Sequence, residues 1–96
     1  MELVIFARFH ARPGQEQTLA KVLRGQVRPV SCEPGCIGIG VYASTRDERL
    51  FFIHSRWVDD AAFEAHATLS STLHFVETAE GLIDHPFDVS RTRKIG

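Results

Sequence analysis

The sequence predicts an α+β fold in which strands and helices follow one another in the order β-α-β-β-α-β. Four segments are rich in β-branched and aromatic residues, as strands are. Two longer segments repeat apolar residues every three or four positions, as amphipathic helices do. Proline and glycine mark several of the boundaries. This order is typical of the ferredoxin-like split β-α-β fold, in which a four-stranded antiparallel sheet carries both helices on one face.

The first half of the chain supplies a strand, a helix and a second strand. Residues 2–11, ELVIFARFHA, form the first predicted strand, which ends at the Arg12-Pro13-Gly14 turn. From Gln15 the apolar period becomes helical, with Leu19, Leu23, Val27 and Val30 on one face. After the turn CEPG, residues 36–44 alternate small and apolar side chains and form the second predicted strand.

The second half of the chain supplies a third strand, a second helix and a fourth strand. The connection TRDER at residues 45–49 is so short that the second strand and residues 50–58 are expected to form a hairpin. Asp59 or Asp60 is expected to cap the next helix, which continues beyond the interruption TLSST. His85-Pro86 stops this helix, and residues 87–95 form the fourth strand.

Composition limits the classes of partner. The chain has 96 residues, 44% of them hydrophobic and 24% charged, with a formal net charge of −1, so residues 1–96 are expected to form a single domain. The chain has no excess of basic residues with which to bind nucleic acid. It also has no apolar run near the roughly 20 residues that span a membrane, and no basic region typical of a signal peptide. We therefore expect a cytoplasmic protein, in which Cys32 and Cys36 are free thiols without a chemical role.

The predicted sheet has apolar residues on both faces. The first strand places Leu3, Ile5, Ala7 and Phe9 on one side and Val4 and Phe6 on the other. Two helices cover only one face, so the other would remain as an exposed apolar patch. We therefore expect a homodimer in which a second subunit covers it.

Several motifs resemble the antibiotic biosynthesis monooxygenase family. They are ARFHARPGQE (7–16), EPGCIG (33–38), SRWVDDAAFEAH (55–66) and TLHF (72–75). The resemblance extends over nearly the whole chain and implies a dimeric α+β barrel with a pocket between the helices and the sheet. It further implies oxidation of a small phenolic, quinol or enolic substrate by O₂ without metal, flavin or other cofactor. The superfamily also contains isomerases and haem-degrading enzymes, so the fold does not define the chemistry.

Such a reaction needs a base in an apolar pocket, and histidine, with an unperturbed pKa of about 6.5, is suited to that role. His66 is the first candidate, because it shares a helical face with Phe63. His74, His54, Phe52, Trp57 and Phe63 are the candidates for substrate binding. A histidine on such a face could instead hydrogen-bond a backbone carbonyl, and Trp57 could serve mainly as a core residue. His54 and Phe52 point away from Trp57, so only one of these two sets can face the helices.

Other functions remain possible at this stage. The five histidines suggest a metal, but no HxH, HxxxH or HExxH spacing occurs, and no metal site is expected. His10 is expected to lie exposed near a strand end. Haem-degrading relatives carry asparagine and tryptophan where this chain has Ala7 and His66, which disfavours that activity. A non-catalytic ligand-binding or stress-related dimer and a cofactor-free isomerase are the alternatives to an oxygenase.

Overall fold

The computed structural model describes residues 1–96 and places a layer of helices on one face of a sheet. The strands are β1 (Leu3–His10), β2 (Cys36–Ala43), β3 (Leu50–Trp57) and β4 (Asp88–Thr92). The helices are α1 (Glu16–Arg24), α2 (Val27–Ser31), α3 (Asp60–Thr68) and α4 (Ser70–Glu80). All strand pairs are antiparallel, in the order β2-β3-β1-β4. The predicted ferredoxin-like α+β fold class is confirmed.

Each of the two predicted helices is divided into two. The chain turns at Gly25 and Gln26 between α1 and α2, and at Leu69 between α3 and α4. Leu69 has φ −63° and ψ 143°, an extended conformation that cannot continue a helix. Just before it, the Thr68 hydroxyl donates to the carbonyls of Glu64 and Ala65 in the last turn of α3. The TLSST interruption therefore separates two helices rather than bending one.

Asp59, one of the two predicted caps, begins α3. Its backbone is extended, and its carboxylate accepts a hydrogen bond of 2.9 Å from the N–H of Ala62. This bond satisfies one of the free N–H groups in the first turn of the helix. The cap fixes where α3 starts and hence which of its side chains face the sheet.

The sheet has one covered and one open face, as the strand pattern predicts. Helices cover the face that carries Leu3, Ile5, Ala7 and Phe9 of β1 and Phe51, Ile53, Ser55 and Trp57 of β3, all of which are buried. On the open face, Phe6 is 48% exposed and Tyr42 is 55% exposed. His54 contacts both, with ring centroids 5.0 Å from Phe6 and 6.5 Å from Tyr42. Phe6, Tyr42 and His54 thus form an aromatic cluster on the open face.

No helix of this fold combines the length and the hydropathy that crossing a bilayer demands. Cys32 is exposed, Cys36 is half-buried, and the two thiols are not joined in a disulfide.

Candidate active site

A cavity of about 370 Å³ lies between the covered face of the sheet and the helices. Its walls come from all four strands and from α2, α3 and α4, and 12 of its 17 lining residues are hydrophobic. The polar lining residues are Gln26, Ser55, His66, Thr72 and Arg91. A mostly apolar space with a few polar groups is the usual form of a small-molecule site.

His66, on α3, is paired with a carboxylate at the cavity wall. Its Nδ1 lies 2.7 Å from Oε1 of Glu33, and the two side chains are only 16% and 14% exposed. When Nδ1–H donates to this carboxylate, Nε2 carries the ring's lone pair. The pair therefore holds the imidazole in the form that accepts a proton. The other possibility, a hydrogen bond from His66 to a backbone carbonyl, is not what the structure contains, since the partner is an acidic side chain.

A short turn positions Glu33. The segment EPGC joins α2 to β2, and Gly35 has φ +81°, a conformation that glycine adopts without strain. The carbonyl of Gly35 accepts a hydrogen bond of 2.9 Å from the N–H of Val58, just before α3. The turn that carries Glu33 is thereby fastened to the segment that leads into the helix of His66.

Two aromatic rings pack against the imidazole of His66. The ring centroid of His66 lies 4.8 Å from that of Trp57 and 5.6 Å from that of Phe63. Trp57 is completely buried, and its Nε1–H donates to Oγ of Ser55 at 3.0 Å. Oγ1 of Thr72 lies 3.4 Å from Nδ1 of His66. These contacts leave the ring little freedom to rotate.

Arg91, on β4, is the cationic residue of the cavity wall. Its guanidinium lies 5.0 Å from the centroid of the Phe63 ring and forms an ion pair with Glu64. Such a cation over an aromatic face is favourable. Arg91 brings positive charge to a space whose other walls are mainly apolar.

The structure brings together only part of the predicted set. His66 and Phe63 line the cavity, and Trp57 packs directly behind them. Their catalytic and binding roles remain predictions.

The other three predicted binding residues lie elsewhere. His54 and Phe52 are on the open face, because side chains alternate along β3 and Trp57 points to the helices. His74 is exposed on α4, whereas its neighbour Phe75 lines the cavity. The side chains of His54, Phe52 and His74 therefore do not line this cavity.

Glu33 and Arg91 were not foreseen from the sequence. Glu33 belongs to the motif EPGCIG, but it lies 33 positions before His66, and no local periodicity connects the two residues. Arg91 follows Val89 at the two-residue spacing of a strand face, and both line the cavity. That alternation was the available signal, although it does not tell which face of β4 is covered.

Comparison with solved structures finds close similarity over the whole chain. Rv0793 from Mycobacterium tuberculosis superposes with a TM-score of 0.92 at 21% identity, over 100% of this chain and 97% of that one. PA3566 from Pseudomonas aeruginosa gives a TM-score of 0.89 at 28% identity, covering 99% and 95% of the two chains. SO0527 from Shewanella oneidensis gives 0.91 at 23% identity, covering 97% and 90%. These similarities show the fold.

Comparison with curated proteins finds no match. The family model for antibiotic biosynthesis monooxygenase, in contrast, matches residues 3–78, which include β1 to β3, the Glu33 turn and His66. Most of the chain, including the Glu33–His66 pair, thus lies within the matched region. The chain belongs to the antibiotic biosynthesis monooxygenase family.

Proposed function

We propose that this chain is a cofactor-independent monooxygenase that oxidises a small phenolic, quinol or enolic substrate with O₂. The observation that carries the proposal is the Glu33–His66 pair at the wall of an apolar cavity. Membership of the family supports the reaction class. The cavity of about 370 Å³ is near the lower end of the roughly 300–1,000 Å³ of small-molecule sites, which favours a small substrate.

In the proposed reaction, Nε2 of His66 removes a proton from a phenolic or enolic substrate, and Glu33 stabilises the resulting imidazolium. The substrate anion is a better electron donor to O₂ than the neutral molecule. The substrate supplies all four electrons that O₂ accepts. One oxygen atom forms a new bond to carbon, and the other leaves as water. Oxidation of a CH₂ group to C=O by one O₂ satisfies this balance.

The remaining walls suit such an anion. The apolar side chains limit the access of water to reactive intermediates. Arg91 contributes positive charge close to Phe63, where a developing phenolate or enolate would be stabilised. The ion pair with Glu64 holds the guanidinium in place and moderates its charge. A neutral precursor that becomes anionic during reaction fits this environment better than a cation does.

The proposal includes a homodimer formed through the open face of the sheet. Phe6 and Tyr42 are about half exposed there, and Phe52 and His54 lie beside them. A second copy of the chain would cover this aromatic patch and bury more than about 1,000 Å² in total. Light scattering should give the mass of two chains. Replacing Phe6 with Asp should shift the mass towards one chain, because a charge would be buried in the interface.

Oxygen consumption with a panel of hydroquinones and anthrone-like phenols tests the reaction. With an active substrate, His66→Ala should keep its fold and lose turnover by about 10²- to 10⁴-fold, the usual effect of removing a general base. His66→Gln should be nearly as slow, because it keeps polarity without basicity. His74→Ala, which changes an exposed histidine on α4, is the matched control and should retain the wild-type rate.

Glu33→Gln separates positioning from catalysis. An amide keeps the size of the side chain but removes its negative charge, so turnover should fall by about 10- to 100-fold, in line with about 1.5–3 kcal/mol for a charged hydrogen bond. KM should change little. Turnover without oxygen uptake would indicate an isomerase instead. Tight binding of the panel without turnover would indicate a ligand-binding protein, and unchanged oxygen uptake in both His66 variants would assign the base to another residue.

A further inference from the structure

A second cluster of polar side chains lies outside the cavity, at the end of β1. Donor atoms of His10, Asp84 and His85 lie within 4.8 Å of one another. His10 Nδ1 is 2.8 Å from Oδ2 of Asp84, and Nδ1 of His85 is bonded to the other oxygen of the same carboxylate. The two imidazole rings are stacked, with centroids 5.9 Å apart. The prediction that His10 is exposed is wrong, because its side chain is only 17% accessible.

Both nitrogens of His10 face carboxylates. Nε2 lies 2.9 Å from Oδ2 of Asp47, and Nδ1 faces Asp84. A neutral imidazole has one N–H and can donate to only one of the two. When both contacts are hydrogen bonds, the ring is protonated and donates from both nitrogens. A metal ion bound at Nδ1 would take the place of that proton, while Nε2–H would still donate to Asp47.

We propose that His10, Asp84 and His85 bind a divalent transition-metal ion of the zinc type. Two imidazole nitrogens and one carboxylate are a ligand set that Zn²⁺ accepts, with bonds of about 2.0–2.2 Å. Two ligands of one such ion lie at most about 4.2 Å apart by that bond length. Donor atoms within 4.8 Å of one another would need at most a small shift to meet this limit, and the His85 side chain, 52% exposed, has room for it.

Asp47 contacts His10 on the side of the ring that faces away from Asp84. A histidine that binds a metal usually donates its other N–H to a carboxylate, which orients the ring and fixes its tautomer. Asp47 is in that position, and it is itself held by the N–H of Arg49 through its other oxygen. The Arg49 guanidinium, 3.8 Å from Asp84, opposes a cation at this site. The two carboxylates, of Asp47 and Asp84, contribute negative charge that favours a cation.

A bound ion would fasten distant segments of the chain. His10 ends β1, whereas Asp84 and His85 follow α4, and the two segments already meet through the Asp84 N–H and the His10 carbonyl at 3.0 Å. Two residues further on, Phe87 stacks on Phe9 at 4.9 Å and lines the cavity. The ion would thus brace one wall of the cavity without entering it. The separation of 74 positions explains why residue spacing predicts no metal site.

Calorimetric titration of the EDTA-treated, tag-free chain with zinc chloride tests the proposal. We expect one zinc per chain and no measurable heat with magnesium, which prefers oxygen ligands. His85→Asn should abolish saturable binding. Asp47→Asn should weaken binding by about 10- to 100-fold, the usual effect of losing an outer partner. His74→Asn, which removes another exposed histidine, should bind as the wild type does.

Thermal unfolding gives a readout that is independent of activity. Because the ligands come together only in the folded chain, excess zinc should raise the unfolding midpoint by several degrees in the wild type and not in His85→Asn. Cys32→Ser should leave zinc binding unchanged. Zinc binding that is lost with Cys32, or that survives unaltered in His85→Asn, would overturn the assignment, as would the absence of one-to-one binding to the wild type.

Discussion

Gly35, in the turn that carries Glu33, offers a sharp test of how closely this turn packs on α3. A Cβ atom added at Gly35 would lie 2.5 Å from Cβ of Ala62 and 3.1 Å from Cγ2 of Val58, with φ at +81°. Gly14 is the matched control, since its φ of +85° is similar but no atom lies within 4 Å of an added Cβ. The two glycines share a backbone conformation and differ in their surroundings.

The expected magnitudes follow from this difference. Gly14→Ala should lower the free energy of unfolding by about 1–2 kcal/mol, the usual cost of a left-handed conformation in an L-residue. Gly35→Ala has the same backbone term and adds overpacking of about 1–3 kcal/mol, so its total loss should be about 2–5 kcal/mol. Adding Ala62→Gly should recover the overpacking part, although that change alone destabilises the helix by about 1 kcal/mol.

Urea unfolding followed by the fluorescence of Trp57 measures all four variants. Trp57 is the single tryptophan and is completely buried, so its emission reports loss of the core. The midpoint of Gly35→Ala should lie clearly below that of Gly14→Ala, with an unchanged slope. Equal midpoints for Gly14→Ala and Gly35→Ala, together with no recovery in the Gly35→Ala/Ala62→Gly double variant, would refute the close contact.

Three further predictions concern other parts of the molecule. Asp59→Ala, which removes the cap of α3, should lower the free energy of unfolding by about 0.5–2 kcal/mol in the same urea assay. The hydrogen bond from Arg56 lowers the pKa of Glu2 below its ordinary 4.5. The stability that this bond gives the folded chain is therefore present above pH 4.5 and is lost as the pH falls through the lower pKa of the folded state. Glu2→Gln should therefore differ from the wild type near neutral pH and converge with it in acid; a constant difference would contradict this. Burial raises the pKa of the Cys36 thiol, so iodoacetamide should modify exposed Cys32 first, as mass spectrometry can show; equal rates would argue against this.

The fold could be predicted because its signals are local. Alternation in strands, the Arg12-Pro13-Gly14 turn and the Asp59 cap each act over a few residues, and they agree with one another. The breaks within the two helical regions were harder to place. Leu69 adopts an extended backbone although leucine is a good helix former, so the break comes from its neighbours and from packing rather than from its own propensity.

The candidate site was only half predictable, for a related reason. His66 and Phe63 could be placed together because they are three residues apart on one helix. The partner of His66 comes from a turn 33 residues earlier, and only the three-dimensional structure brings that turn against α3. The sequence does not tell which face of β3 is covered, and the burial of Trp57 shows that His54 lies on the open one.

The strand order also affects how the molecule folds. β1 is central and pairs with partners far along the chain, since Leu3 lies opposite Trp57 and Val4 lies opposite Thr92. Such contacts close long loops, and their entropy slows folding relative to a helical bundle of the same size. β4 is synthesised after every other strand, yet it supplies Val89 and Arg91 to the cavity wall. Until it docks, one edge of β1 stays unpaired, so the nascent domain is open to association with other chains while its binding cavity is still incomplete.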